Sequence, residues 1–484
     1  MVSDHFRRQL HQEAEQWWAE GLIDDTQYAQ LSDRYEFHRL ETASRSRFIM
    51  ILIGLGSILL GLGIITFVAA NWRVWSRELK VTLLLSLFIL VNTAGFYLWR
   101  HPTVQFEGTG SGQQRLGQGL LLLGALVLGA NMALMDQMFH ISGSPYALLL
   151  LWGVGVLAMA YSLRLTFLGV LAILLVGLGY WQGQAELFAP GELTWLRLAV
   201  QHMPVLAGLM FIPLAYWCRS QALFGLAAIA VISSLTINPW RTHWISTGVA
   251  AAIACALPPA LLWGYNDTLW SILFQRRLHR SEVTARPFLP IARSLALLFL
   301  IFLFYSLSFH WVWEPEAIQP SPPNSLLSWA PFLDVVILSG FAVWEWLNLL
   351  RQTRNPRSVD LTTSVMGCFI AIAALIPFWH LSMGPIPTLA VVIFNVLLFL
   401  LAGGLIREGL ALGERRTFWV GIVLLTLQIL SRLLEYDTDL LLKSIVFLLC
   451  GAGVITVGLW FERYVRTLSD RPSANTRLSE EDSP

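Results

Sequence analysis

The feature that most constrains this chain is a nearly unbroken series of long apolar runs between Ile49 and Phe461. A helix needs about 20 apolar residues to cross a bilayer core about 30 Å thick, because lipid cannot satisfy its backbone polar groups. Only 13% of the residues are charged and 56% are hydrophobic, against about 25% and 45–50% in a soluble domain. We therefore predict an all-α, polytopic membrane protein.

Counting the runs predicts about 14 transmembrane helices. The predicted spans are residues 49–70, 79–99, 116–134, 146–161, 165–181, 203–217, 222–237, 245–264, 291–310, 329–350, 365–379, 388–406, 418–433 and 440–461.

The distribution of Lys and Arg predicts the orientation of these spans, because basic loops stay in the cytoplasm. If the N-terminus is cytoplasmic, the opposite side holds only a small minority of the 32 basic residues, namely Arg73, Arg77, Lys80, Arg197, Arg241, Arg432 and Lys443. The segment 311–328 contains four prolines and no basic residue, whereas five arginines lie between positions 276 and 293. We expect the first segment outside and the second inside, as a topology determinant more than a lipid-binding site. Both termini are then cytoplasmic, and the spans lie in the plasma (inner) membrane.

The two ends of the chain are polar and predict a three-part organisation. Residues 1–48 are predicted to form a cytosolic amphipathic helical hairpin, with Gly21 ending the first helix and Asp24 capping the second through a capping box with Gln27. Residues 49–461 would form the transmembrane bundle, and residues 462–484, rich in Ser and acidic side chains, a disordered cytosolic tail. The aromatic pair Trp17 and Trp18 could dock on the membrane or on a cytosolic protein partner, but docking on the protein itself is favoured.

Two stretches in the first third of the chain resemble a known family. The first has a Trp-containing helix, Gly21-Leu22-Ile23, a helix ending near Tyr35 and a Gly-rich span closing in Asn71-Trp72. The second runs from Gly129-Ala130-Asn131 through the segment Gln137 to Gly143, and on to Leu149–Trp152. Both resemble the prokaryotic membrane proteins of Domain of Unknown Function 2157. The resemblance implies a multi-pass membrane protein and no activity.

Ionisable residues inside a span are costly and mark candidate functional sites. Glu345 lies toward the cytosolic end of one predicted span and Asp334 toward its outer end. Because eleven residues of helix rise about 16 Å, the two side chains do not form one site by themselves. For Glu345 we weigh a structural ion pair with an arginine near the cytosolic face, which is favoured, against a proton or cation path.

Further candidates lie at the predicted outer surface, where they match the family pattern. His140 could act as an acid or base, next to Asp136 if the helix persists. The candidate functional residues are therefore Asn71, Trp72, Asp136, Gln137, His140 and Glu345.

Other polar residues receive a structural interpretation. Arg432 and Glu435 are spaced to form a salt bridge on one helix face, which we favour over external cation capture. Amides at Asn92, Asn131, Asn395 and Gln428 can hydrogen-bond between helices, and packing is their favoured role.

No common catalytic or cofactor motif stands out in the sequence. It has no Walker motif, HExxH, GxSxG or dinucleotide turn, and its four cysteines are widely spaced within apolar runs. We expect no cofactor and no metal centre. A net charge of +1 gives no reason to expect nucleic acid as a partner, so the expected partner is the lipid bilayer.

Three functions remain open at this point. The first is a transporter or permease, because many helices with short loops can surround a cavity. The second is a non-catalytic scaffold or assembly factor that recruits a partner through the N-terminal hairpin. The third and weakest is a membrane enzyme using His140 and Asp136. A hydrated cavity lined by Glu345 would favour transport, and a solid bundle with an exposed apolar patch would favour scaffolding.

Overall fold

The computed structural model describes residues 4–35, 75–100, 110–139, 144–186, 194–241, 245–267, 288–314, 330–352, 361–436 and 439–469, with four isolated positions between 56 and 70. Within these ranges the chain is helical and contains no strand. Its contacts divide it into two compact units, residues 1–143 and 144–484, which are described separately.

The first unit contains four described helices. They are α1 (Asp4–Ala19), α2 (Asp25–Tyr35), α3 (Arg77–Arg100) and α4 (Gly110–Phe139). The second unit contains the rest. They are α5 (Pro145–Leu163), α6 (Thr166–Glu186), α7 (Trp195–Gln201), α8 (Met203–Cys218), α9 (Gln221–Ile237), α10 (Thr247–Gly264), α11 (Leu289–Leu307), α12 (Ala330–Gln352), α13 (Leu361–Ser382), α14 (Pro387–Leu412), α15 (Arg415–Glu435) and α16 (Leu440–Ser469).

The described helices confirm a polytopic all-α membrane protein. Twelve of them are long and apolar enough to cross a bilayer, and the bent pair α7–α8 raises the number to 13. Each predicted span from residue 79 onward corresponds to one of these helices. The first predicted span, residues 49–70, lies almost wholly outside the described residues, so the total of about 14 stays a prediction. The predicted boundaries at residues 48 and 461 stay predictions as well.

The N-terminal helices α1 and α2 pack against each other through Trp18. Its indole stacks on Tyr28 with ring centroids 5.4 Å apart and donates a hydrogen bond of 2.6 Å to Asp25. Gly21 adopts a left-handed conformation with φ +73° after α1, which a glycine tolerates without strain. The predicted capping box is present, since the Asp24 carboxylate accepts from the Gln27 backbone and the Gln27 side chain accepts from the Asp24 backbone.

The second unit packs sequence neighbours as antiparallel helices. Pairs such as α5–α6, α8–α9 and α14–α15 lie side by side, and α10 also packs along α13. An aromatic cluster holds three of the helices together, with the Phe304 ring of α11 5.7 Å from Phe369 of α13 and 5.9 Å from Phe394 of α14. Lipid supplies no hydrophobic drive between helices, so this interlocking of side chains carries the association.

A proline lies at the helix break between α7 and α8. Pro204 has no N–H to donate to the carbonyl of Val200, and its ring would clash with that carbonyl if the helix continued. The chain therefore leaves the helix at His202 and turns by 80° into α8. A Pro in the first turn of α8 costs nothing, because that N–H would have no helical acceptor.

Candidate functional site

Two carboxylates are buried on the same face of α12. Asp334 and Glu345 are each 1% exposed. Asp334, Leu338, Phe341 and Glu345 follow one another at intervals of four, three and four residues, which places all of them on one stripe of the helix. The two acids therefore lie at opposite ends of that stripe, about 16 Å apart along the axis, as the sequence predicts.

Asp334 is paired with a histidine at the helix break. Its Oδ1 lies 2.7 Å from Nδ1 of His202, the residue that separates α7 from α8. The second oxygen, Oδ2, has no hydrogen-bond partner among the described residues. The proline break thus presents a titratable side chain to a buried acid on another helix.

An amide network holds the chain next to this break. The side-chain amide of Asn238, after α9, donates to the backbone carbonyl of Gln201 at 2.7 Å. Its Oδ1 accepts from the Tyr180 hydroxyl at 3.2 Å and from Nε2 of Gln184 at 3.4 Å. Because α6, α7 and α9 all contribute, the break has a fixed geometry and not the conformation of a free loop.

Glu345 lies in a second cluster, at the other end of α12. The Tyr216 hydroxyl of α8 donates to Asp267, and its oxygen lies 2.6 Å from the hydroxyl of Tyr265. Glu345 packs against Gly264, three residues before Asp267. Its carboxyl group and that of Asp267 are near enough to interact electrostatically with each other and with the Tyr265 hydroxyl. We call Tyr216, Tyr265, Asp267 and Glu345 the acid–tyrosine cluster.

Several buried acceptors near this cluster have no donor among the described residues. Both carboxylate oxygens of Glu345, Oδ2 of Asp267 and Oδ1 of Asn266 are buried without a hydrogen bond. No described arginine pairs with Glu345, and most arginines of the segment 276–293 lie outside the described residues. The described Arg293 stacks instead over the ring of Trp263, 5.3 Å from its centroid.

An apolar cavity of about 220 Å³ lies between the two ends of the stripe. Four helices, α8, α9, α10 and α12, contribute to it, and we call it the four-helix cavity. Its walls include Pro204, Gly208, Ile212, Val231, Leu261 and Phe341. At one end Pro204 follows the His202 break by two residues, and at the other Tyr265 lines the cavity. Glu345 is one turn beyond Phe341 and is not itself a wall residue.

A larger apolar hollow of about 530 Å³ lies on the α10, α12 and α13 side of the bundle. Small side chains such as Ala256, Ala260, Gly367 and Ala371 form much of its wall, and no titratable group lines it. The buried acids are therefore associated with the smaller cavity and not with the larger one.

The remaining sequence candidates lie in the first unit. Asn71, Trp72 and His140 are outside the described residues. Asp136 is half-buried and Gln137 is exposed near the end of α4. Their role as a site stays a prediction, as does any role of Asp136 beside His140.

The structure adds His202, Tyr216, Tyr265 and Asp267 to the site, and sequence reasoning had singled out none of them. The available signals were a histidine two residues before a proline at the start of a span, and an aspartate three residues past the end of another. Neither signal identifies the residue that the side chain contacts, because the contacts join helices far apart in the chain.

The polar residues given a structural interpretation behave as predicted, with one exception. Arg432 forms the predicted ion pair with Glu435 and donates to the carbonyl of Ser308 at 2.6 Å. Three of the four amides bond between helices, to the carbonyls of Leu84, Ser308 and Asn395. The exception is Asn92, which donates within its own helix to Phe88. No hydrogen bond between helices is described for it, although its side chain packs against Gly124 of α4.

The helices and their buried acids define a polytopic α-helical membrane protein. Residues 15–169 match the family described as Predicted membrane protein (DUF2157), which confirms the resemblance seen in the first third of the sequence. No curated protein and no solved structure matches the chain.

Proposed function

We propose that the protein is a permease-like transporter in which a small substrate occupies the four-helix cavity. The observation that carries the proposal is the position of this cavity between two buried acidic sites on one face of α12. Burying an ionisable group in a span is costly, and such groups commonly serve substrate or ion pathways. A packing role alone would be served as well by apolar side chains.

The break between α7 and α8 supports the same function. Interrupted helices near a binding site are a recurrent feature of transporters, because they place polar groups inside the membrane without exposing them to lipid. Here the interruption brings His202 to Asp334 at one end of the cavity. The apolar walls favour a substrate with a largely apolar body.

A flux measurement tests the proposal. Purified protein in liposomes that contain a pH dye is exposed to ammonium compounds, amino acids, sugars and organic acids, and substrate-dependent signals are compared with empty liposomes. Gly208 lines the cavity, and a Cβ there would meet its nearest neighbours only at 3.9 Å, so Gly208→Leu should project into the space and block flux.

Gly177→Leu is the matched control. It is the same substitution on α6, where a Cβ would have nothing within 4 Å, and it should leave flux intact. Folded wild-type protein that moves no class of compound, or a Gly208→Leu variant that transports normally, would contradict the proposal.

We also propose that the protein resides in the plasma membrane of a prokaryote with both termini in the cytoplasm. The bias of Lys and Arg supports this orientation. Cysteine-accessibility labelling of intact cells should find positions in segment 311–328 accessible from outside and positions in segment 276–287 protected. Finding both on the same face would contradict the arrangement.

The alternative function is a scaffold, and one observation favours it. The 530 Å³ hollow has walls of small residues on α10, α12 and α13, and such surfaces let a helix of another membrane protein approach closely. A partner that copurifies in membranes and is lost when Ala256 becomes Trp, while flux is absent in the wild type, would favour this function. Recruitment of a cytosolic partner by the N-terminal hairpin belongs to the same alternative.

A further inference from the structure

The acid–tyrosine cluster has many more acceptors than donors. The described hydroxyl donors, Tyr216 and Tyr265, are already engaged with Asp267 and with each other. Four buried oxygens, on Glu345, Asp267 and Asn266, still have no donor among the described residues. A buried carboxylate without a hydrogen bond is strongly disfavoured, and two neighbouring carboxylates add mutual repulsion. The cluster therefore requires positive charge from a ligand or from a proton.

The same cluster borders an apolar volume. Tyr265 belongs to both, because its ring lines the four-helix cavity while its hydroxyl lies within the cluster. Phe224 also lines the cavity and packs against Tyr265, with ring centroids 4.9 Å apart. Phe288 stacks on Phe224 at 4.8 Å and makes a T-shaped contact with Tyr216 at 4.7 Å. The acidic end of the cavity is thus built from aromatic rings, whose faces attract cations.

We propose that the four-helix cavity binds a small organic cation: an ammonium group at the acid–tyrosine cluster, with its apolar body in the cavity. The inference deepens the proposed function by naming the substrate class. An ammonium group supplies the missing donors and the missing charge together. The cavity volume of about 220 Å³ is below the roughly 300–1,000 Å³ of drug-sized pockets, so the apolar body is compact.

The described cation in this part of the bundle does not meet the need. Arg293 lies over the Trp263 ring and has no described ion pair with either carboxylate. Its own Nε is buried without a hydrogen bond among the described residues. The arginine therefore stacks on Trp263 and does not pair with Glu345 or Asp267, whose charge is left for a ligand or a proton.

Binding can be tested without a transport assay. The thermal unfolding of the purified protein is measured against hexylammonium, its neutral counterpart hexanol, its anionic counterpart hexanoate, and sodium ion. Hexylammonium should raise Tm in a saturable way, and the other three should not. Glu345→Gln should weaken the apparent affinity by about tenfold or more, since it removes a charge-assisted hydrogen bond.

Two comparisons keep the result interpretable. Glu408→Gln makes the same change at an exposed position of α14 and should bind like the wild type. Comparing its Tm shift with that of Glu345→Gln removes any effect of the probe on the detergent. Gly208→Leu leaves the cluster intact and should abolish binding by filling the cavity. It serves as the second variant if Glu345→Gln does not fold.

Three results would overturn the inference. Equal stabilisation by hexanol would mean that the cavity recognises the apolar body alone. Equal stabilisation by sodium would assign the cluster to an inorganic cation. No stabilisation by any probe would mean that the carboxylates share a proton.

Hexylammonium that binds but is not carried into liposomes would refute the proposed function and leave this site standing. Flux of a neutral compound without any binding of hexylammonium would refute this inference and leave the proposed function standing.

Discussion

The pair formed by His202 and Asp334 allows a quantitative test of the site. We consider three variants, His202→Ala, Asp334→Asn and the double mutant, and ask how far the free energies of unfolding depart from additivity. The distance between Nδ1 and Oδ1 is 2.7 Å. The Asp334 side chain is 1% exposed and the His202 side chain 20%.

The expected magnitude depends on whether the contact is an ion pair. Two unit charges about 4 Å apart attract by about 4 kcal/mol at an effective dielectric constant of about 20. Removing one partner of a buried pair costs about 3–5 kcal/mol, whereas hydrogen bonds between membrane helices average about 0.6 and reach about 1.7 kcal/mol. Because the histidine is partly exposed, we expect His202→Ala to cost about 2–3 kcal/mol and the coupling to be about 2 kcal/mol.

The assay is reversible unfolding in mixed micelles by added SDS, followed by circular dichroism. His310→Ala is the control, because that side chain is 48% exposed and its ring lies 3.9 Å from Glu314, so the change should stay within about 0.5 kcal/mol. A coupling below about 0.5 kcal/mol would refute the reasoning, since Asp334 would then be stabilised by something other than His202.

Three further outcomes follow from other contacts. Gly409→Leu should destabilise the α14–α15 pair by about 1–3 kcal/mol or more, because a Cβ there would lie 2.5 Å from the backbone nitrogen of Phe418. Gly403→Leu, with open space at its Cβ, should be nearly neutral in the same SDS titration. Arg432→Lys should cost about 1–2 kcal/mol in that titration, since a lysine cannot reproduce the two contacts of 2.6 and 3.2 Å with Ser308. Hydrogen bonds from Thr26 and from the Gln27 backbone hold the pKa of Asp24 below its ordinary value of 3.8. The capping contribution of Asp24 is therefore complete above pH 3.8 and is lost as the pH falls through the lowered pKa. Hydrogen-exchange protection of α2 should fall on acidification in the wild type and be low at every pH in Asp24→Ala.

Hydropathy predicted the spans well, because lipid imposes a length and a composition on every crossing helix. The break at His202 was not predicted. The α7 helix has only seven residues and contains Arg197 and Gln201, so it gives no apolar run of its own. The sequence shows Pro204 at the start of a predicted span, but the 80° turn also depends on the hydrogen bonds that Asn238 makes to Gln201 and Gln184. Local patterning carries no information on those contacts.

The candidate site was predictable in part. The rule that ionisable residues in spans are candidates selected Glu345 and placed Asp334 at the other end of the same helix. Their partners could not be found from one sequence, because His202 and Asp334 are 132 positions apart. Asp267 follows the end of α10, and its sequence position is that of an ordinary acidic residue in a loop. Only the fold shows that it lies near Glu345. Hydropathy determines which residues lie within the membrane, and packing determines which of them meet.

The two ends of the α12 stripe differ in how their charge is compensated, and this difference gives the proposed cation a preferred resting position. Asp334 has a titratable partner in His202, so protonation of the histidine can balance its charge without a ligand. Glu345 faces another carboxylate and tyrosine hydroxyls that are already engaged, so its charge needs a ligand or a proton. A cationic ligand should therefore rest at the Glu345 end and meet only a transient site at the Asp334 end. Oδ2 of Asp334 and Oε1 of Gln201 are also buried without a hydrogen bond among the described residues. The difference between the two ends therefore rests on the charge that His202 can carry, because the acid–tyrosine cluster contains no basic side chain.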